Sequence, residues 1–226
     1  MLQPHLKPTE LPAMTTLYKA EDTISRVYFP HTGAVSYVVG IPSGQFVEAG
    51  LVGRNSAIGA GAALGYPIAL NQAIVQVAFS GVMAEAGVLE RLVAQSQTLR
   101  ACFERQEQMD FVQVQQTAVC NALHALEARL SRWLLQTRDL LKSDTLPLTQ
   151  DFLSQMLGVQ RSSVTLVALK LQEAGLINYR RGRIHILEVE ALEDASCTCY
   201  DVINDQFRRL VGWSRGFNLA ARATGL

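Results

Sequence analysis

Between Thr15 and about Val52 the apolar positions fall in short runs separated by turn residues. Ile24-Ser25-Arg26-Val27-Tyr28-Phe29 is rich in β-formers and stops at Pro30. Ala34-Val35-Ser36-Tyr37-Val38-Val39 lies between Gly33 and Gly40, and Gln45–Val52 alternates after the turn signal Pro42-Ser43-Gly44. Strands at roughly eight- to twelve-residue spacing with such punctuation predict a sandwich or small barrel rather than a parallel sheet. A Gly/Ala-rich patch over 58–64 follows, then a strand over 73–79 and a helix from about Ala84.

The pattern changes at Leu99. From there to Leu141 the chain has neither Pro nor Gly, and two apolar stripes run at helical spacing. One is Val112, Val119, Leu123, Leu126, Leu130 and Leu134; the other is Phe111, Val114, Ala118, Ala122 and Ala125. A long helix that is apolar on two sides needs two packing partners. Its own chain supplies one, and a second copy is the natural supplier of the other. Two ordinary helices folding back on each other remain the alternative, and the pattern does not say which stripe would form a seam.

Lys142–Pro147 breaks the helical pattern and marks a boundary. Thr149 offers an N-cap for a helix over 150–157, with Phe152, Leu153, Met156 and Leu157 on one side. Gly158 ends it, and a second helix starts near Gln160 or Arg161 and runs to Ala174 with Gly175 as its stop. Two short helices joined by a tight turn predict a helix-turn-helix. The alternating runs around Arg181-Gly182 predict a β-hairpin, or wing. The spacing of Leu192, Ala195, Cys199, Ile203, Phe207 and Leu210 predicts one further amphipathic helix.

The chain balances 20 basic against 20 acidic residues, so no global field draws it to nucleic acid or membrane. The one stretch with a clear basic excess is 147–188, and three of its cations sit in Arg180-Arg181-Gly182-Arg183. At the start of the second helix the outward positions are Gln160, Arg161, Ser162, Ser163 and Thr165, polar and without an acid. Hydroxyl and guanidinium groups there suit base edges and phosphates. Together with Thr149, Lys170 and the wing residues Arg180, Arg181 and Arg183, they are the candidate DNA-binding residues.

Other chemistry is weakly signalled. His5, His31, His124 and His185 are scattered, and no nucleophile–base pair or phosphate loop is suggested, so no catalytic residue and no enzyme activity is expected. Cys102 and Cys120 on one helix would lie roughly 27 Å apart and cannot share an ion. Cys197 and Cys199, if helical, would face away from each other. Unbridged thiols acting as small hydrophobes are expected, with no metal and no cofactor, although a C-x-C pair could react with an oxidant. The charge-free stretch 55–84 is interrupted by Pro67, several glycines and Asn71, Gln72 and Gln76. With no Lys/Arg-rich flank there and no signal-like start, the chain reads as cytoplasmic.

These motifs resemble the Crp/Fnr family of bacterial transcription regulators, named for the cyclic-AMP receptor protein and the fumarate–nitrate reduction regulator. Val27-Tyr28-Phe29-Pro30 with Gly33-Ala34-Val35-Ser36, and Val47–Arg54, look like the family's β-roll sensor. Leu148–Leu153, Leu157–Thr165 and Leu171–Ile177 look like its winged helix-turn-helix. The resemblance implies an α+β chain in three parts. These are an N-terminal antiparallel β-roll (a double-stranded β-helix, jelly-roll-like) over 1–100, a long dimerisation helix and hinge over 101–143, and a winged helix-turn-helix with a C-terminal helix over 144–226.

It also implies a homodimer on a double-stranded, inverted-repeat DNA operator, with RNA polymerase and an unidentified small-molecule effector as further partners. Two departures matter. The family's cyclic-nucleotide sensors hold ribose and phosphate with a Gly-Glu pair and an Arg after a short helix, and 59–71 has neither, so regulation by cyclic AMP is not expected. Arg161 aligns with the leading base-contacting Arg, but Ser162 and Leu166 stand where the cyclic-AMP receptor protein has a Glu and a second Arg, so the operator should differ. A sensor module whose C-terminal part serves protein contacts instead of DNA is the second reading.

Overall fold

The computed structural model describes residues 1–54 and 56–211. Strands β1 (Lys7–Leu11), β2 (Thr16–Tyr18), β3 (Arg26–Gly40), β4 (Phe46–Gly53) and β5 (Gln72–Glu85) form an antiparallel sheet in the order β1-β5-β3-β4, with β2 also on β5. The two strands expected over 24–29 and 34–39 are one, β3. It runs through Pro30 because the ladder to β5 slips there, at Pro30/Thr32 and again at Thr32/Ala34, so the missing N–H falls at an irregularity. Gly33 makes the bend: its φ is +88°, and a Cβ would lie 2.5 Å from the Ala78 carbonyl oxygen. The short helix α1 (Ala60–Ala63) sits in the 58–64 patch, and α2 (Ala86–Ala94) leaves the end of β5. The charge-free stretch thus becomes α1 and most of β5. None of the described helices is long and apolar enough to cross a membrane.

The expected continuous helix is two. Helix α3 (Gln97–Leu123) and α4 (Leu126–Leu141) are separated by His124 and Ala125, both extended (ψ 143° and 152°). No Pro or Gly signals this break; packing imposes it. Residues 129–137 of α4 are all buried, so α4 is enclosed on every side, and its direction follows its neighbours rather than propensity. The stripes separate accordingly. Leu130 and Leu134 enter the core, whereas Phe111, Val114, Ala118, Ala122 and Ala125 are all exposed, as are Val119 and Leu123. Helix α3 is pinned to the edge strand β4 by Gln113. Its amide donates to the Leu51 carbonyl (2.9 Å) and accepts from the Leu51 N–H (3.0 Å), satisfying edge backbone groups.

Beyond α4 come β6 (Thr145–Leu146), α5 (Gln150–Leu157), α6 (Arg161–Glu173), β7 (Ile177–Arg180) and β8 (Arg183–Ile186), with a β6-β8-β7 sheet. Leu153, Met156, Leu157, Val164, Leu171, Ile177 and Ile184 form one core with Leu130, Trp133, Leu134 and Leu135 of α4. The tail expected as one helix is also two, α7 (Val189–Asp194) and α8 (Cys199–Val211). Ser196 ends α7 by hydrogen-bonding the Glu193 carbonyl at 2.7 Å, a competition with helix that Ser readily makes. Residues 212–226 of the expected C-terminal part lie outside the described residues.

Candidate nucleic-acid interface

Thr149 caps α5, its Oγ1 accepting the Phe152 N–H at 3.2 Å. Gly158 closes that helix at φ +65°, and a Cβ there would lie 2.6 Å from Val47 Cγ1, so turn geometry and the β3–β4 hairpin both require glycine. Gln160 is the N-cap of α6 and, with Arg161 and Ser162, is exposed. Arg161 holds Asp151 at 3.3 Å in a pair so exposed that a phosphate or base can exchange with it at little cost. Arg181 (φ +49°) and Gly182 (φ +71°) form the wing's turn, the left-handed pair a two-residue hairpin needs. Arg180, Arg181 and Arg183 are exposed around it.

Three candidates are placed differently. Ser163 is half-buried and lines a groove against Phe46 and Val47. Thr165 Oγ1 lies 2.9 Å from Gln150 Oε1 and 3.0 Å from the Arg161 carbonyl oxygen, so its hydroxyl is engaged between α5 and α6. Lys170, towards the far end of α6, binds Glu127 of α4 at 2.6 Å and does not join the Arg161 group. One residue stood outside the candidate set: Leu166, 67% exposed, projects from α6 between the polar positions. An apolar residue on an otherwise polar face was the available signal.

The β-roll interior is filled by its own side chains, with Tyr18, Tyr28 and Tyr37 buried among Val27, Val35 and Val75. Beside it α3 brings two carboxylates. Glu107 accepts the N–H of Gly61 in α1, and burial raises its pKa. Asp110 is pushed up to about 8, by burial first and the charge of Glu107 second. Among the described residues neither carboxylate has an ion-pair partner, and Arg54 is exposed.

A buried polar chain joins the β-roll to α4. Trp133 Nε1 donates to Glu48 Oε1 (2.8 Å), and Ser36 Oγ lies 2.7 Å from Glu48 Oε2 and 2.9 Å from Gln76 Oε1. Burial pushes the Glu48 pKa up to about 7 against the opposing pull of these donors.

Cys120, His124, Cys197 and Cys199 also converge, contrary to the expectation that the thiols stay apart. That expectation assumed a helix through Cys197. Residues 195–198 are not helical, so the C-x-C pair turns both sulfurs the same way.

Residues 128–195 match the Crp-like helix-turn-helix domain, spanning α4 to α7. The chain carries a Crp-like helix-turn-helix domain on a Crp/Fnr-type fold. The fold is similar to that of FixK2 from Bradyrhizobium japonicum (TM-score 0.71, 12% identity, 85% of this chain and 98% of that one). It is similar to a CRP-family transcriptional regulator from Thermus thermophilus (TM-score 0.69, 20% identity, 83% and 96%). It is also similar to the c-di-GMP-responsive global regulator CLP from Xanthomonas campestris (TM-score 0.66, 16% identity, 82% and 95%). No curated protein matches the sequence. The Crp-like domain supplies the α5–α6 pair and the wing; the fold match supplies the β-roll and the helices between.

Proposed function

We propose that this chain is a sequence-specific transcription regulator that binds an inverted-repeat operator as a homodimer and does not take cyclic AMP as its effector. The observation that carries the reading is the shared exposure of the α6 start and the wing. Gln160, Arg161 and Ser162 stand at one, Arg180, Arg181 and Arg183 at the other, and α6 has no acid before Glu173. In the major groove the first turn of such a helix reaches base edges while a basic hairpin takes backbone phosphates. Leu166 adds an apolar group suited to a thymine methyl.

The exposed stripe Phe111, Val114, Ala118 and Ala122 on α3 supports the dimer, because soluble chains seldom leave such a face uncovered. A two-fold seam on α3 carries one Crp-like domain on each side of the axis. Selection of bound duplexes from a random pool by the full chain tests both parts. The expected product is an inverted repeat with half-sites about one helical turn apart. Enrichment of a single unrepeated site would remove the dimer from this reading, and no enrichment would remove DNA from it.

A cyclic nucleotide brings a phosphate anion, and burying one without a cation is costly. Here the Gly61 N–H is already taken by Glu107, and Asp110 stands beside it. Calorimetry with cyclic AMP and cyclic GMP is therefore expected to show no stoichiometric heat at micromolar concentrations. A saturable micromolar site for either would overturn this part.

A further inference from the structure

Cys120 lies in the last turn of α3 and His124 is its C-cap, four residues on and therefore on the same face. Cys197 sits in the α7–α8 connector and Cys199 opens α8. Cys120 Sγ is 3.4 Å from Cys197 Sγ, and Cys199 Sγ is 3.4 Å from His124 Nδ1. All four donor atoms lie within 4.8 Å of one another. A tetrahedral ion with metal–sulfur bonds of about 2.3 Å holds its thiolates roughly 3.8 Å apart, close to this spacing. An iron–sulfur cubane seats each thiolate on a separate iron and needs a wider ring.

The surroundings are those of a charged thiolate cluster. Gln116 Nε2 donates to Cys199 Sγ at 3.0 Å. Arg132 stands within electrostatic reach of Cys120, and Arg129 of both Cys120 and Cys197. Arg129 and Arg132 are both buried, each with an unpartnered Nε, and neither has a carboxylate within ion-pair distance among the described residues. Buried guanidinium groups need counter-charge. Three thiolates and one imidazole around a dication carry a net charge of −1 and provide it.

We propose that Cys120, His124, Cys197 and Cys199 bind one zinc ion that clasps the two ends of the Crp-like domain. The ligand pairs flank the matched segment 128–195, one just before it and one just after. The ion would close this long loop and hold α8 against α3, fixing the bend at His124–Ala125 through which the β-roll and the DNA-binding domain are joined.

The test is titration of the reduced, metal-stripped full chain with cobalt(II), a spectroscopic stand-in for zinc. One equivalent per chain should give the visible bands of tetrahedral cobalt and sulfur-to-metal charge transfer, and zinc should erase both. Cys197→Ser, Cys199→Ser and His124→Ala should each weaken or abolish the signal. Cys102→Ser should leave it whole, since Cys102 is exposed and far from the cluster. The wild-type titration decides the matter even if a variant fails to fold. No tetrahedral spectrum, an iron–sulfur absorption in the freshly isolated chain, or full signal in Cys199→Ser would overturn the proposal.

Discussion

Glu48→Gln is expected to stabilise the chain by about 3 kcal/mol at pH 8 and to leave it nearly unchanged at pH 4. Glu48 has no ion pair among the described residues; its carboxyl accepts from Trp133 Nε1 and Ser36 Oγ, and the charge of Arg132 acts on it from further away. The unfolded group titrates near 4.5 and the folded one near 7. Because the folded value is the higher, the folded state binds the proton more tightly. Stability from this group is full below pH 4.5, falls as pH rises from 4.5 to about 7, and is flat above. A Gln amide keeps both interactions, its oxygen accepting from Trp133 and its NH2 donating to Ser36, and carries no charge to desolvate. Urea unfolding of both proteins across pH 4 to 8 measures the difference. Asp110, raised to about 8, adds a slope of the same sign in both proteins and cancels from it. Parallel pH profiles would show that Glu48 is not the titrating group. The same residue couples the β-roll to α4, so the profile reports on that junction and not on the sheet alone.

Arg161→Ala is expected to flatten base preference at one symmetric position of the operator by roughly ten- to a hundredfold, the worth of about 1–3 kcal/mol for a bidentate Arg–guanine pair. Non-specific binding should largely survive, because Arg161 is one cation among several on this face. Arg181→Ala should act differently. At the wing's turn it would touch phosphate, so matched and mismatched duplexes should weaken about equally. The salt slope should fall by about one for each phosphate that a protomer no longer neutralises. Both variants, measured on matched and mismatched duplexes across a salt series, separate reading from anchoring. If Arg161→Ala keeps full preference and Arg181→Ala loses it, the docking assigned to α6 is inverted.

The helix-turn-helix and wing were legible residue by residue, and the reasons are local. Thr149 caps, Gly158 and Gly175 stop, and Arg181-Gly182 turns; each acts within a few residues of itself. Periodicity likewise placed β3, β4 and β5 but not the short β1 and β2, and it split β3 at Pro30, where pairing with β5 overrides the proline. The helix breaks at 124–125 and 195–198 carried no Pro or Gly signal of their own. The partners that Lys170 and Thr165 meet were not legible, because helical spacing shows which way a side chain leaves its helix but not which residues wait there. Glu127 and Gln150 do.

What the amino-acid order determined by itself was therefore the set of elements with local punctuation, the polar start of α6 and the arginines of the wing. Only the tertiary structure decided where helices must bend. Enclosing α4 on all sides turned the chain at His124, and ending α7 at Ser196 turned it again before Cys199. Those two bends bring Cys120 and His124 against Cys197 and Cys199 across more than seventy residues of chain. A spacing rule reads neighbours along one element; it cannot see a juxtaposition made by packing two of them.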